Sequence, residues 1–149
     1  MRIGYALGAV EVIGAFGKVR NHFGINRVSQ AAALAALQDA PYLALVQERI
    51  GASRAELGAI ARDNGLAPLP SSTNFVTIDC MRDGAFARAV LAEMLELDVF
   101  CRMPGAPPLD RCIRVSCGMP QENALVREAL PRALEIAKAR SHSVPNKMQ

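Results

Sequence analysis

One arginine interrupts an apolar run near the C-terminal end of the chain, in the segment DRCIRVSCGMPQEN at residues 110–123. With the two-residue period of a β-strand, Ile113 and Val115 lie on one face and Arg114 lies on the opposite face. A guanidinium in this setting is either a residue on a solvated sheet edge or a binding group for an anion. The second use is chemically possible because the planar guanidinium donates paired hydrogen bonds to carboxylate or phosphate oxygens, and both interpretations stay open at this point.

The residue types that most often bind transition metals are few and widely spaced. The four cysteines are Cys80, Cys101, Cys112 and Cys117, and the two histidines are His22 and His142. None of the cysteines forms a C-x-x-C pair and both histidines are distant from them in sequence, so no metal site is predicted. Most of the cysteines lie in apolar, strand-like runs, where cysteine acts as a small hydrophobic residue. This usage is typical of a reducing, cytoplasmic protein.

Composition limits the class of protein. The 149 residues suit one domain or two small lobes, and the 51% of hydrophobic and 21% of charged residues are typical of a globular chain. The net charge is only +3, the basic residues are scattered, and aromatic residues make up 5%, which argues against a nucleic-acid platform. No apolar run approaches the roughly 18 residues of a membrane span, so no membrane partner is expected.

The first part of the chain alternates between a short apolar segment and helical patterns. A strand is predicted at 2–8, followed by helices at 10–19 and 27–38, the latter capped by Asn26 or Ser29. A longer helix follows Asp39, which is placed to cap it, and ends at Asn64-Gly65. Because no earlier strand is available to pair with residues 2–8, residues 1–25 are expected to be the end of a larger domain.

The second part has the pattern of a small β-α-β-β-α domain with helices on one face of the sheet. Its predicted elements are a strand at 74–80, a helix at 83–97, strands at 99–103 and 112–118, and a helix at about 121–140. The proline- and serine-rich segment LAPLPSST is predicted to be the loop before the first strand. Pro131 is expected to kink or split the last helix.

Five segments in this order resemble a known family, the fold-type-I pyridoxal-phosphate aminotransferases of class I/II. They are MRIGYALG, FGINRVSQAAALAALQD, PSSTNFVTI, VFCRMPG and CIRVSCGMPQEN. The pattern is most similar to the histidinol-phosphate aminotransferase group and extends from residue 1 to about 138. The resemblance implies an α/β fold with four parts. These are the C-terminal remnant of the large cofactor-binding domain at 1–40, a long interdomain helix at 41–66, a small domain at 67–140 and a disordered tail at 141–149.

The resemblance also implies roles for three arginines. Arg2 matches the residue that contacts the cofactor phosphate, and Arg114 matches the one that binds the substrate α-carboxylate. Arg102 matches a position near the distal end of the substrate, although an exposed strand-edge arginine explains it equally well. Asn74 matches a frequent asparagine of the small domain and is given no catalytic role.

The implied activity is pyridoxal-phosphate-dependent transamination of the histidinol-phosphate or aromatic amino acid type. An amino group would move between an amino acid or amino phosphate and a 2-oxo acid. The Schiff-base lysine of the family is expected upstream of Arg2, and Lys18, on a helical surface, does not replace it. No catalytic residue is therefore assigned, and the chain alone is expected to be inactive, while the parent enzyme is expected to be a homodimer.

Two alternatives remain open at this point. One is a phosphothreonine-like decarboxylase on the same scaffold. The other is a non-catalytic module that binds a small ligand or dimerises through its sheet.

Overall fold

The computed structural model describes residues 3–21 and 23–143. The chain divides into two compact units between Val46 and Gln47. Arg2 and His22 lie outside the described residues, as do residues 144–149 of the predicted tail. The two units are described separately below.

The first unit is helical. It contains α1 (Val10–Val19), α2 (Arg27–Gln38) and the start of α3 (Ala40–Asp63). The caps agree with the sequence prediction, because the Oδ1 atoms of Asn26 and Asp39 accept hydrogen bonds from the backbone N–H groups of Ser29 (2.8 Å) and Tyr42 (3.1 Å).

The strand predicted at 2–8 is wrong for the described part of that segment. Residues 3–9 have no regular secondary structure, and Tyr5 and Leu7 are exposed. A strand needs a neighbour to pair its backbone N–H and C=O groups, and no described segment pairs with this one. The apolar pattern alone therefore does not produce a strand here.

The second unit combines helices with a small antiparallel sheet, in agreement with the mixed helix and strand class that was predicted. After α3 it contains five regular elements and one short 3-10 helix. They are β1 (Ala67–Pro68), β2 (Phe75–Asp79), α4 (Gly84–Glu96), the 3-10 helix (Leu109–Arg111), β3 (Cys112–Ser116) and α5 (Pro120–Ser143). The strand order is β1-β2-β3, and each adjacent pair is antiparallel.

The first strand of this sheet lies where a loop was predicted. Ala67 and Pro68 pair with Asp79 and Ile78 of β2, so the LAPLPSST segment is not wholly a loop. A proline is tolerated here because β1 is an edge strand, where one side of the backbone has no strand to bond. The strand was not predicted because the prolines in this segment are typical of a loop.

The strand predicted at 99–103 forms only an isolated bridge. Arg102 pairs with Arg114, and no ladder extends on either side. In this register the next hydrogen-bonding position on one side is Pro104, which has no N–H group to donate. Side-chain burial nevertheless alternates as in a strand, since Val99 and Cys101 are buried and Phe100 and Arg102 are exposed.

The core of the second unit lies between one face of the sheet and the helices. The sheet contributes Val76, Ile78, Ile113 and Val115. The helices contribute Leu57, Ile60 and Ala61 from α3, Phe86, Ala87, Val90 and Met94 from α4, and Val126, Ala129, Leu130, Ala133, Leu134 and Ala137 from α5. Burying these side chains supplies the main driving force for the unit to fold.

Helix α5 is not split at Pro131 but runs on to Ser143, so three residues of the predicted tail are helical. Residues on both sides of the proline, Leu130 and Ala133, are fully buried in the core. This packing holds the helix together although Pro131 cannot donate the usual hydrogen bond to the carbonyl four residues earlier.

A buried polar group joins α3 to α5 within the second unit. Asn123 is 2% exposed, and its Nδ2 donates to Ser53 Oγ (3.0 Å) and Glu56 Oε2 (2.7 Å). Arg127 donates to Glu56 Oε1 at 3.2 Å. Hydrogen bonds from Asn123 and then Arg127 lower the pKa of Glu56, because both stabilise the charged carboxylate. These contacts fix the start of α5, and with it the end of β3.

Candidate anion site on the open face of the sheet

The two faces of β3 have different surroundings. Ile113 and Val115 are buried in the core, whereas Arg114 is half-buried and Ser116 is exposed on the opposite face. The sequence predicts this alternation for residues 113–116, whereas Cys112, on the same face as Arg114, is also buried. The helices cover the first face and leave the guanidinium of Arg114 on the second.

Arg114 differs from the arginines that form ion pairs in this unit. Arg111 contacts Asp79 (Nη2 to Oδ2, 2.5 Å), Arg127 contacts Glu56, and Arg140 contacts Glu93. Within residues 3–21 and 23–143, no carboxylate lies within ion-pair distance of Arg114. The guanidinium of Arg114 lies over the ring of Phe75, and the Arg114 Cζ is 4.6 Å from the ring centroid. The hydrogen-bond donors of Arg114 are therefore available to an anion.

Arg102 lies directly opposite Arg114. The backbone N–H of Arg102 donates to the Arg114 carbonyl (3.0 Å), and the N–H of Arg114 donates to the Arg102 carbonyl (2.6 Å). Residues paired in this way in an antiparallel bridge direct their side chains to the same face. Like charges opposite each other destabilise a sheet. An anion bound beside these guanidinium groups would reduce that repulsion, so the pair has the chemistry of an anion site.

The loop before β2 fixes the position of Phe75. Ser71 Oγ and Thr73 Oγ1 donate to the Phe75 carbonyl at 2.7 and 3.2 Å. The backbone N–H of Cys117 donates to the Asn74 carbonyl at 2.9 Å, which continues the pairing of β2 with β3 beyond the strands themselves. Asn74 contributes through its backbone here, and its side chain is exposed.

Gly118 ends β3 and allows α5 to start immediately. Glu122 Oε2 accepts a hydrogen bond from the backbone N–H of Met119 at 2.6 Å, which caps the helix start. A Cβ atom at position 118 would lie 2.6 Å from that same carboxylate oxygen. The glycine is needed because the Glu122 side chain folds back over it.

Sequence reasoning missed the contact between Phe75 and Arg114. A two-residue period places Phe75 and Thr77 on one face of β2, and Thr77 pairs with Arg114. The signal was present in the alternation, but it could be used only once the register between β2 and β3 was known. Of the other predicted site residues, Arg102 lies beside Arg114, and Arg2 lies outside the described residues.

The four cysteines are free, and Cys80, Cys101 and Cys112 are buried. Burial raises the pKa of Cys80 to about 12 and that of Cys101 to about 11, because a thiolate is poorly solvated in the core. Within the described ranges, no cluster of histidine, cysteine, aspartate or glutamate side chains could hold a metal ion. The cysteines act as apolar core residues.

These pKa values predict how the thiols react. At about pH 8, roughly a thousandth or less of Cys80 and Cys101 is ionised, so iodoacetamide should leave both unmodified in the folded chain. The half-buried Cys117 should react first, and all four should react in urea. Peptide mapping after timed labelling measures this, and native labelling of Cys80 as fast as in urea would contradict it.

None of the described helices has both the length and the apolar character needed to cross a membrane.

Comparison with known proteins identifies the family. The family model for aminotransferase class I and II matches residues 1–130. The chain therefore belongs to the class I and II aminotransferases, which confirms the resemblance seen in its five sequence segments.

Individual relatives are histidinol-phosphate aminotransferases. The chain is 34% identical over 137 residues to histidinol-phosphate aminotransferase 2 of Pseudomonas fluorescens, covering 92% of this chain and 36% of that protein. It is 36% identical over 135 residues to histidinol-phosphate aminotransferase 1 of Cupriavidus pinatubonensis, covering 91% of this chain and 36% of that protein.

Among solved structures, the histidinol-phosphate aminotransferase of Sinorhizobium meliloti in complex with pyridoxal-5'-phosphate is similar with a TM-score of 0.80 and 47% sequence identity. The match covers 85% of this chain and 35% of that one. The chain thus spans about a third of the length of the relatives it matches, at 36%, 36% and 35%.

Proposed function

We propose that this chain provides the substrate-anion site of a pyridoxal-phosphate-dependent transaminase of the histidinol-phosphate or aromatic amino acid type. Arg114 binds the α-carboxylate of the amino donor through two parallel N–H···O hydrogen bonds. Every α-amino acid and every 2-oxo acid has that carboxylate, so one fixed arginine serves both, and histidinol phosphate, which has no carboxylate, offers its phosphate oxygens to the same guanidinium. A bound carboxylate also orients the bonds at the neighbouring carbon.

One observation carries the proposal. Arg114 is a half-buried residue on the open face of the sheet, and its guanidinium has no carboxylate partner among the described residues. Burying a charged group without a partner costs free energy, so the half-buried arginine favours a bound anion as the partner. The backbone bridge pairs Arg102 with Arg114, and the proposal assigns Arg102 to a phosphate or second anion at the distal end of the substrate.

The cofactor proposed for the complete enzyme is pyridoxal 5'-phosphate, which supplies an electron sink for amino-group transfer when bound. The described residues fit the substrate side of such a site, because Arg114 and Arg102 are hydrogen-bond donors facing away from the core. Arg2, assigned to the cofactor phosphate, lies outside the described residues. Lys18 is exposed on α1 and is not assigned to the cofactor.

The proposal also covers the domains to which these residues belong, the oligomeric state and the cellular location. Residues 1–40 belong to the large cofactor-binding domain, 41–66 to the interdomain helix and 67–140 to the small domain. The complete enzyme is a cytoplasmic homodimer, and the 149-residue chain alone does not transaminate.

The experiment that tests the anion site is a titration followed by NMR. The Arg114 Nε–Hε signal is assigned by its loss in Arg114→Ala. We expect N-acetylglycine, which has a free carboxylate, to shift this signal in a saturable way, and N-acetylglycinamide, which is neutral, to leave it unchanged. Because the two compounds differ only at the carboxylate, a response to both or to neither would contradict the proposal.

A further inference from the structure

We infer that Phe75 is a positioning residue for Arg114: its ring holds the guanidinium in the orientation that binds a carboxylate. The inference rests on the proposed function and assigns a role to a side chain that binds neither substrate nor cofactor itself. It starts from the 4.6 Å separation between the Arg114 Cζ atom and the ring centroid.

The contact is built by the register of the sheet. Thr77 pairs with Arg114, and Phe75 precedes Thr77 by two residues on the same face of β2. A diagonal neighbour at this spacing is within reach of an aromatic ring. Phe75 thus approaches the guanidinium from the adjacent strand, while Arg102 lies on the other side of β3.

The backbone at Phe75 is fixed independently of any ligand. Two hydroxyl groups, from Ser71 and Thr73, donate to the Phe75 carbonyl, and the Phe75 side chain is itself half-buried. A ring held in this way limits the rotamers of the arginine that contacts it. The reduced freedom of Arg114 lowers the entropy lost when a carboxylate binds.

The chemistry of the contact suits a binding arginine better than an ion pair would. An aromatic face attracts a cation through its quadrupole but accepts no strong hydrogen bond. A carboxylate in the same place, such as the one that Asp79 supplies to Arg111, would compete with the substrate. Phe75 therefore stabilises the charge of Arg114 and leaves its donors to the ligand.

The test uses the full chain and N-acetylglycine as the probe, with Phe75→Leu as the main variant. Before any probe is added, we expect the Arg114 Hε signal of the wild-type chain to be shifted by the ring current, and Phe75→Leu to remove that shift. The variant should then bind N-acetylglycine about fivefold more weakly, as expected for loss of a partly desolvated cation–π contact.

Three controls separate a positioning role from a structural one. Phe23→Leu makes the same replacement at a 94% exposed site and should change neither readout. The Arg82 Hε signal is an internal reference, because the Arg82 Cζ lies 4.3 Å from the centroid of a different ring, that of Phe86. Replacing Phe75 should leave this signal unchanged. A ring-fluorinated phenylalanine at position 75 keeps the shape and weakens the quadrupole, so it should reduce affinity by about twofold even if Phe75→Leu fails to fold.

The outcomes distinguish this inference from the proposed function. If the fluorinated chain and folded Phe75→Leu bind N-acetylglycine as tightly as wild type while Arg114→Ala does not bind, the role of Phe75 is overturned and the anion site stands. If the wild-type chain does not bind the probe, both are overturned. Weaker binding by both Phe75 variants, with an unchanged Phe23→Leu chain, supports the inference.

Discussion

Replacing Arg114 with alanine is expected to lower kcat/KM about a thousandfold in a transaminase that contains this chain. The arginine makes two charge-assisted hydrogen bonds to the substrate carboxylate in our proposal, and such bonds contribute about 1.5–3 kcal/mol each. Since about 1.4 kcal/mol corresponds to a factor of ten, the loss lies between roughly a hundredfold and ten-thousandfold. Arg114→Lys keeps the charge but not the fork, and should lose somewhat less activity.

The measurement can be made in a chimera. The chain replaces the matching third of the Sinorhizobium meliloti enzyme, with which it shares 47% identity over the aligned region. Steady-state kinetics with histidinol phosphate and a 2-oxo acid then give kcat/KM for the 2-oxo acid, the substrate that has the carboxylate, in the chimera and its Arg114 variants. Cofactor absorbance reports whether each protein is assembled. Arg132→Ala is the matched control, because Arg132 is exposed on α5 and should tolerate the same replacement.

Two results would contradict this prediction. An Arg114→Ala chimera with the activity of its parent would remove Arg114 from the substrate site. A chimera that binds the cofactor but releases carbon dioxide from an α-amino acid without transferring its amino group would favour the decarboxylase alternative.

Ile113→Ala should destabilise the second unit by about 3 kcal/mol. Ile113 is 0% exposed and pairs with Ile78, which is also 0% exposed, at the centre of the core face of the sheet. Truncating a buried isoleucine removes its transfer free energy and leaves a cavity, and such replacements cost roughly 2–5 kcal/mol. The lost packing is on β3, the strand that also contains Arg114. The apparent affinity for an anion should therefore weaken as the folded fraction decreases.

Urea unfolding followed by circular dichroism measures the difference. Ile136→Ala is the control, because it is the same replacement at a residue that is 38% exposed on α5. It should change the free energy of unfolding by less than about 1 kcal/mol. Equal destabilisation by the two variants would show that the packing around Ile113 does not hold the sheet together.

Helices of this chain could be predicted from local sequence, whereas two of its predicted strands could not. Helices with clear caps were predicted well, because a cap such as Asn26 or Asp39 acts within three residues of itself. The strand at residues 2–8 and the ladder at 99–103 were wrong. Strand formation needs a partner at a distance along the chain, and an apolar or alternating pattern does not state whether one is available.

At the candidate site, too, the local orientation of a side chain was predicted but its neighbours were not. The alternation in CIRVSCG placed Arg114 on the face away from the core, and the structure confirms that orientation. The family resemblance assigned Arg102 and Arg114 separately to the substrate. Their pairing across a backbone bridge, and the contact of Phe75 with Arg114, were not predicted because both depend on the register between segments far apart in sequence.

The sequence by itself determined the family, the helices with their caps and the unusual position of one arginine on a half-buried strand. Only the tertiary structure decided which groups surround that arginine. Local side-chain periods follow from the geometry of a single strand or helix, whereas the neighbours of a strand are chosen by backbone hydrogen bonds and core packing over the whole unit. The proposed anion site therefore depends on Arg114, while the pairing of β3 with β2 and with Arg102 determines the residues around it.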